Sequence, residues 1–489
     1  MKKAVAAGLG AVLVLGVAYV GASAWAGHRV HAFYAAEIGQ LQAQVPALKI
    51  QQQYDKGLWS ATSRVTLQFG CEPKDVLRLT VIDRIQHGPW VGGTSFAAAD
   101  IDTELQIDGP AGQELAKMLG GAKPLVAHTV VGFGGGYQSD FSSPAGSLQM
   151  GEGQLFNWQG LQARVNGRIE GGPMGYELSM PSIELVDVKQ GLQLKFAGLK
   201  MTGQAEKGDS VWLSSGRSEG EIGTIEMSAQ APAGSPSHVQ AFALALQRMK
   251  FNAETRIEKD LLHTSSSFTA SGQVGKTKLD RIELQASLKR LHAPTYVKLM
   301  EQLMAGGMTC DEKLREANAK AMLQDLQQSL LQMLPHNPEY ALDKLVVEFG
   351  GKRGEFSSAV GVQGVTAEDL KQPLPMLLME KAVVKTELKL PVAWIEMMAG
   401  EASAQSSGKL PPPEMVSVML DQYAAQGFIV RDGEHLKSSL RYARGELLVN
   451  GKPLSLGGGA QAAEAGAEDE EEDEEIAEAM PLAPAASAP

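Results

Sequence analysis

Residues 161–170 read Leu-Gln-Ala-Arg-Val-Asn-Gly-Arg-Ile-Glu, so that small or apolar residues alternate with polar or charged ones. Successive side chains of a β-strand point to opposite faces, and this period of two therefore predicts a strand with one buried and one solvated face. The alternation recurs from residue 60 to about 290, with glycine-rich breaks such as 171–173 between the segments. The pattern predicts extended antiparallel strands joined as a meander.

Two segments that begin 31 residues apart, 160–167 and 191–198, share a glycine, a leucine, a glutamine, a basic residue and an apolar residue at matching offsets. Two copies are fewer than the three or more that a solenoid usually needs, so they predict no repeat architecture. In the second copy the apolar alternation changes phase after Gly198. This change predicts a β-bulge at Gly198.

After residue 290 the apolar period lengthens to that of a helix. Residues 309–312 form a Thr-x-x-Glu capping box, and apolar residues then follow one helical face from Ala319 to Leu334. Further helices are predicted at 296–304, 366–380, 394–398 and 414–426, with strands between them. We therefore predict an α+β, sheet-rich fold of extended antiparallel amphipathic strands with interspersed helices, preceded by one N-terminal transmembrane helix.

The N-terminal residues predict a membrane anchor. Lys2 and Lys3 precede an uncharged, largely apolar stretch at 4–26, which is about 35 Å long as a helix and can cross a hydrocarbon core of roughly 30 Å. Because the lysines favour the cytoplasmic side, the body is expected in the periplasm of a Gram-negative cell. A cleaved signal peptide is the alternative. We favour retention because the apolar run exceeds a usual signal core and because Tyr19 and Trp25 suit interfacial depth.

Length and composition indicate a globular body of more than one domain. The chain has 489 residues, of which 44% are hydrophobic and 20% charged. The formal net charge is -12, but residues 464–478 hold ten acidic and no basic residues, and without them the charge is -2. The sequence offers no basic surface that would indicate nucleic-acid binding. The acidic run is predicted to be disordered.

Five parts are predicted along the chain. They are a transmembrane anchor at 1–26, a juxtamembrane helix at 27–46, a sheet-rich periplasmic domain at 47–235, a mixed strand and helix periplasmic domain at 236–457, and a disordered acidic tail at 458–489. The internal boundary rests on the Ala-Pro-Ala-Gly-Ser-Pro sequence at 231–236. This segment is either a linker or a loop inside a continuous sheet.

Three motifs with catalytic or cofactor-binding spacing lack the context that they need. Residues 216–220 match the Gly-x-Ser-x-Gly nucleophile elbow, but residues 221–229 alternate like a strand where the elbow requires a helix. Residues 406–409 have Ser-x-x-Lys spacing within a Ser/Gly-rich loop. Residues 132–136 resemble a dinucleotide fingerprint, but Tyr137 occupies the place of the third glycine. We therefore predict no catalytic residue, no cofactor-binding residue and no cofactor.

Metal binding and disulfide bonding receive equally little support. His28 and His31 have a helical spacing, but they directly follow the predicted anchor, where interfacial solvation explains them better than metal ligation. No metal site is predicted. Cys71 and Cys310 would lie in a compartment that permits a disulfide, but nothing in the sequence places their Cα atoms within the ~7 Å that bridging requires. Their pairing stays open.

The methionines allow two interpretations. Of the 20 methionines, many lie in or near the predicted helices: Met300, Met304, Met308, Met322, Met333, Met376, Met379, Met397, Met398, Met415 and Met419. Flexible thioethers usually fill gaps in an ordinary core. A sheet with one apolar face beside methionine-bearing helices could instead hold an acyl chain.

Short blocks at both ends of the body carry a family resemblance. They are Gly-Leu-Trp-Ser at 57–60, Ile-Gln-His-Gly-Pro at 85–89, Gln-Gly-Phe-Ile at 426–429, Ser-Leu-Arg-Tyr at 439–442 and Gly-Glu-Leu-Leu-Val-Asn-Gly-Lys-Pro at 445–453. In order and separation they resemble the YdgA-like family of bacterial proteins over roughly residues 1–455. The resemblance implies anchorage in the inner membrane by an N-terminal helix. It implies no activity and carries over no catalytic residue.

Together these features predict a single-pass protein of the cell inner membrane, with a cytoplasmic N-terminus and a periplasmic body that binds lipid or an envelope component without chemistry of its own. Its expected partners are the membrane and a lipid or an envelope protein, not nucleic acid. One alternative is a protein-protein interaction scaffold of the cell envelope. A third possibility is an unrecognised hydrolase. The sequence indicates no oligomeric state.

Overall fold

The computed structural model describes isolated residues between 32 and 42 and then residues 49–69, 77–92, 95–109, 112–113, 116–117, 119–210, 212–229, 242–275, 277–307, 326–397 and 413–454. The described residues between 32 and 42 are helical. The predicted anchor at 1–26, the acidic tail at 458–489, the 231–236 segment, Cys71 and Cys310 lie outside the described residues. Within them, no helix combines the length and hydropathy that a membrane span requires.

The strands are β1 (Lys49–Lys56), β2 (Ser60–Phe69), β3 (Leu77–His87), β4 (Trp90–Val91), β5 (Ser95–Phe96), β6 (Ala99–Asp108), β7 (Leu125–Val131), β8 (Gly136–Gly151), β9 (Gln154–Arg168), β10 (Pro173–Asp187), β11 (Leu192–Lys207), β12 (Ser214–Ala229), β13 (Phe242–Glu258), β14 (Leu261–Val274), β15 (Thr277–His292), β16 (Glu339–Phe349), β17 (Lys352–Val362), β18 (Ala382–Pro391), β19 (Val430–Asp432), β20 (His435–Ala443), β21 (Glu446–Val449) and β22 (Lys452–Pro453). The helices are α1 (Ala293–Gly307), α2 (Leu374–Lys381) and α3 (Pro413–Ala425), with 3-10 turns at Leu334–His336 and Asp369–Lys371.

Twenty of the described strands form one antiparallel sheet, and β4 and β5 pair as a separate small hairpin. The order in space follows the order in the chain: β1, β2, β3 and β6 to β18 pair successively, and β18 pairs with β20. Strands β12 and β13 pair along most of their length on either side of residues 230–241. The sheet-rich, antiparallel part of the fold prediction is confirmed.

Tight turns join many of the strands. Lys259 and Asp260 join β13 to β14, and both have positive φ, as do Asn450 and Gly451 between β21 and β22. Two-residue turns of this kind match the right-handed twist of paired strands. Strands β8 to β15 are each 14–17 residues, or about 50 Å, long.

A crease crosses β8 to β12 at Pro144, Gly160, Pro181, Gly198 and Gly223, each of which lies opposite the next on the neighbouring strand. Gly160 and Gly198 have φ of +73° and +71°. The predicted change of phase at Gly198 is present, but the predicted bulge is wrong, because pairing keeps the same register on both sides of that residue. On both strands of each pair, the crease residue is one extra residue in the alternation, and the two extra residues lie opposite each other. The alternation therefore resets without a register shift.

The crease depends on the absence of Cβ atoms. An added Cβ at Gly160 would stand 2.7 Å from the carbonyl oxygen of Ser143, in addition to the left-handed backbone strain. We expect Gly160→Ala to lower the free energy of unfolding by about 1–3 kcal/mol, measured by urea denaturation. Gly134→Ala is the matched control, since nothing lies within 4 Å of its added Cβ. Equal stability of the two variants would contradict this explanation of the crease.

Clusters of buried apolar residues lie toward the two ends of the meander, and Met249 on β13, between them, is also fully buried. One core contains Ala61, Ile85, Ala99, Ile101 and Val131. The other two lie among the later strands and helices: one contains Val362, Val365 and Leu377, and the other contains Val416, Leu420 and Leu436. Well-packed residues thus support both ends of the sheet.

The predicted helices are found where the structure describes them, except that the helix predicted at 366–380 is divided in two. Helix α1 contains 296–304, residues 392–397 are helical, and α3 nearly coincides with 414–426. The predicted helix at 366–380 is instead a 3-10 turn followed by α2. Pro373 separates them, because proline lacks an N–H and disfavours helical backbone in the residue before it. Residues 326–333, the described part of the helix predicted up to Leu334, are also helical.

Candidate functional site

One face of β8 to β18 carries apolar side chains in rows that run across the strands. The central row, read from the strand pairings, is Phe141, Ala163, Leu178, Met201, Gly220, Phe251, Phe268, Leu284, Leu345, Phe356 and Leu388. Eleven strands at about 4.8 Å spacing make this row roughly 48 Å long. We call this side of the sheet the apolar face.

The apolar face continues beyond the crease. A second row there contains Leu148, Phe156, Leu185, Leu194, Met227, Leu244 and Val274. Once the additional residue at the crease is counted, the two rows lie on the same side of the sheet. The reset of the alternation therefore keeps the long strands one-sided over their full length.

The apolar face is incompletely covered in the middle of the meander. No apolar side chain of β9 to β12 is fully buried within the described residues, whereas Ile85 and Leu377 at the two ends are almost completely inaccessible. Among the described elements, β9 to β12 make their close backbone contacts with neighbouring strands. Leu178 and Met201 remain half-buried, with part of their apolar surface still accessible. This region of the apolar face therefore leaves apolar surface accessible.

Aromatic rings lie over glycines of neighbouring strands. Added Cβ atoms would stand 2.1 Å from the ring of Trp158 at Gly146, 2.5 Å from the ring of Tyr176 at Gly203 and 2.4 Å from the ring of Phe251 at Gly220. The rings occupy the space that a side chain would otherwise fill. A glycine opposite an aromatic residue therefore lets the ring cover backbone and smooths the apolar face.

Charged side chains mark the opposite face. Arg164 pairs with Asp140 at 2.6 Å, and Glu283 accepts hydrogen bonds from Lys344 and Arg281 at 2.9 and 2.6 Å. The hydrogen bond from Lys344 is the main cause that holds the pKa of Glu283 below its ordinary value. The charges of Arg281 and Lys344 act in the same direction. The sheet is consequently apolar on one side and charged on the other.

This network predicts a pH dependence. A carboxyl group whose pKa is lowered on folding stabilises the folded state above its unfolded pKa, and that contribution is lost as the pH falls through the folded pKa. Glu283→Gln should therefore lower the urea midpoint at pH 7, and its difference from the unchanged protein should shrink as the pH falls below 4.5, the ordinary value. Glu219→Gln, at an exposed position of β12, is the control. A difference that is constant with pH would contradict the assignment.

One group of described residues has the composition of a metal site. Ligand atoms of Asp100, Asp102 and His128 all lie within 4.8 Å of one another. Asp102 and His128 are exposed, and His128 Nδ1 lies 3.1 Å from a carboxylate oxygen of Asp102. Burial is the main cause that raises the pKa of Asp100. The hydrogen bond between His128 and Asp102 explains why these groups lie together, and we assign no metal to them.

The sequence motifs are placed as follows. Ser218 lies within β12 opposite Gly203 and Ala253, so the strand predicted in place of an elbow is confirmed. Residues 132–135 turn the chain from β7 into β8. Residues 406–409, His28 and His31 lie outside the described residues.

The methionines of the predicted helices differ in their exposure. Met333 is buried, while Met376 and Met379 on α2 and Met415 and Met419 on α3 are exposed. The aromatic-glycine pairs were not predicted from the sequence. Glycines at apolar positions of alternating strands were the available signal, but their partners depend on strand pairing.

The blocks that carry the resemblance hold one another in place. The backbone N–H of His87 donates to the carbonyl of Trp59 at 2.8 Å, which joins the first two blocks. The Asn450 side chain accepts from the N–H of Ser439 and donates to the carbonyl of Gly427, both at 2.8 Å. These contacts give the blocks a structural role.

The family described as bacterial protein of unknown function (DUF945) matches residues 1–457. The chain belongs to the DUF945 family. The DUF945 match includes every described strand and ends before the acidic run that begins at Glu464. No curated protein and no solved structure is found to match the chain.

Proposed function

We propose that this DUF945 protein is a periplasmic protein, anchored in the inner membrane by residues 1–26, that holds lipid acyl chains on its apolar face without catalysing a reaction. The observation that carries the proposal is the row of half-buried apolar side chains across β9 to β12, with charged side chains on the opposite face. The uncharged N-terminal stretch supports the location. The resemblance to YdgA-like proteins is compatible with membership of the DUF945 family. It implies an N-terminal anchor in the inner membrane, which the proposal includes.

The energetics favour an acyl chain as the ligand. Burial of one methylene contributes about 0.8 kcal/mol, so ten methylenes laid along the face contribute roughly 8 kcal/mol before the cost of ordering the chain. The face is roughly 48 Å long and offers several such positions. Met201 and Met227 can adapt to chains of different shape because their side chains are unbranched and flexible.

A non-catalytic role is consistent with where the serine of the elbow motif lies. Ser218 occupies the middle of a strand, between Gly203 and Ala253 on its two neighbours. Neither neighbour can serve as a general base for a serine nucleophile. The apolar face supplies binding surface in this region.

Lipid retention tests the proposal. Leu178→Glu places a charge on the half-buried apolar face, and we expect it to reduce the lipid that stays with the detergent-extracted protein at least tenfold, as measured by native mass spectrometry after lipid exchange. Desolvation of the carboxylate opposes contact with the acyl chain. The adjacent Glu177→Gln changes the exposed side of the same strand and should leave retention unaltered.

Circular dichroism of both variants establishes that the sheet is retained. A lipid-free unchanged protein would contradict the proposal, as would equal retention by two folded variants.

The location has a separate test, which uses Val188→Cys in a background without Cys71 and Cys310. In cells whose outer membrane alone is permeabilised, a cysteine-reactive reagent that does not cross the inner membrane should label this cysteine. Protection of Val188→Cys until the inner membrane is lysed would contradict a periplasmic body.

A further inference from the structure

Three connections meet at one end of the sheet. They are the β1–β2 turn at 57–59, the described parts of the β3–β6 connection at 88–92 and 95–98, and the β7–β8 turn at 132–135. The strand pairings place them together, because His87 lies opposite Ala99, Ala99 opposite Val131 and Val131 opposite Tyr137. We call these residues the tip.

The tip exposes large apolar side chains. Phe96 is 69% exposed and Trp90 is 57% exposed, and Leu58 and Trp59 are also exposed. The ring of Phe96 lies 6.3 Å from that of Trp90 and 5.0 Å from that of Phe133, measured between centroids. These contacts make one aromatic patch from separate connections.

The tip contains no charged side chain. Its described residues read Gly-Leu-Trp, Gly-Pro-Trp-Val-Gly, Ser-Phe-Ala-Ala and Gly-Phe-Gly-Gly. A patch that docks on another protein usually has a polar rim with paired charges. A charged side chain does reach its edge, since the Arg168 guanidinium donates to the carbonyl of Gly134 at 2.9 Å. Tryptophan among apolar residues with an arginine at the edge matches the headgroup region of a bilayer, where amphipathic rings are enriched and long basic side chains reach the headgroups.

The backbone of the tip is also suited to a medium with little water. The N–H groups of Gly88 and Ala98 donate to the carbonyls of Ala98 and Val131, both at 2.8 Å, and Ala97 donates to Pro89 at 3.2 Å. Backbone groups that pair among themselves avoid the cost of burial without a partner. A buried core that includes Ala99 and Val131 lies directly behind these connections and fixes their position.

We infer that the tip inserts its aromatic side chains into the surface of a lipid bilayer. This inference goes beyond lipid binding on the apolar face and does not require it. The described residues between 32 and 42 are helical and rise about 1.5 Å each, so residues 27–48 can reach roughly 50 Å, and β1 spans about 26 Å. A body attached to an anchor at 1–26 therefore has enough connecting chain to bring the tip to the same membrane.

The test uses the full chain in liposomes of phosphatidylethanolamine and phosphatidylglycerol at 3:1. Cys71 and Cys310 are replaced by serine, and a single cysteine that replaces Phe96 carries an environment-sensitive NBD label. Val188→Cys is the matched control, because Val188 is 73% exposed and follows β10 at the opposite end of the sheet. Nitroxide-labelled lipids then quench any NBD group that enters the headgroup region.

We expect at least threefold stronger quenching of the label at position 96 than at position 188, together with a shift of its emission to shorter wavelength. Equal quenching at both positions, quenching at neither, or stronger quenching at 188 would overturn the inference. An emission shift at position 96 that needs no lipid and grows with protein concentration would assign the tip to contact between copies of the chain and would likewise overturn it.

Folding is controlled independently, since both labels sit at exposed positions and thermal melts of the labelled proteins should agree. The two lipid proposals also remain distinguishable. Leu178→Glu should lose lipid retention while quenching at position 96 stays normal. Trp90→Ser should keep lipid retention while quenching at position 96 falls.

Discussion

The structure depends on keeping the apolar side chains of very long strands on one side of a single sheet. A strand of 14–17 residues alternates its side chains many times, and one displaced residue would transfer every later apolar side chain to the charged face. The crease solves this problem collectively. Because Gly160, Pro181, Gly198 and Gly223 lie opposite one another on successive strands, the phase changes on all of them together and the register is kept. The apolar face is therefore continuous.

Packing is unevenly distributed over this sheet. Small buried cores toward its ends contain residues such as Ile85 and Leu377, but β9 to β12 have no fully buried apolar side chain among their described residues. A sheet of this length gains stability from its ladder of hydrogen bonds and from aromatic rings that lie over cross-strand glycines. The middle of the meander thus combines an ordered backbone with an accessible apolar surface, which is the combination that a lipid-binding surface needs.

The proposed activities use different parts of this architecture. The apolar face offers an extended surface for acyl chains, and the tip offers a rigid group of aromatic side chains at one end of the strands. Trp90 and Phe96 face each other within the β3–β6 connection, and Phe133 of the β7–β8 turn reaches Phe96 because β3, β6, β7 and β8 are neighbours in the sheet. Taken together, the two proposals place a bilayer-facing tip where it would bring lipid close to the apolar face.

Local sequence patterns were sufficient to predict the strands, the Asn450-Gly451 turn and helices such as α3, because alternation, turn chemistry and helical periodicity act between residues close in the chain. The sequence also excluded a nucleophile elbow at Ser218. It could not show that Gly198 lies opposite Pro181 and Gly223, that Phe251 covers Gly220, or that the tip forms. Those features depend on the register between strands, and register is decided by the summed pairing and packing of the whole sheet.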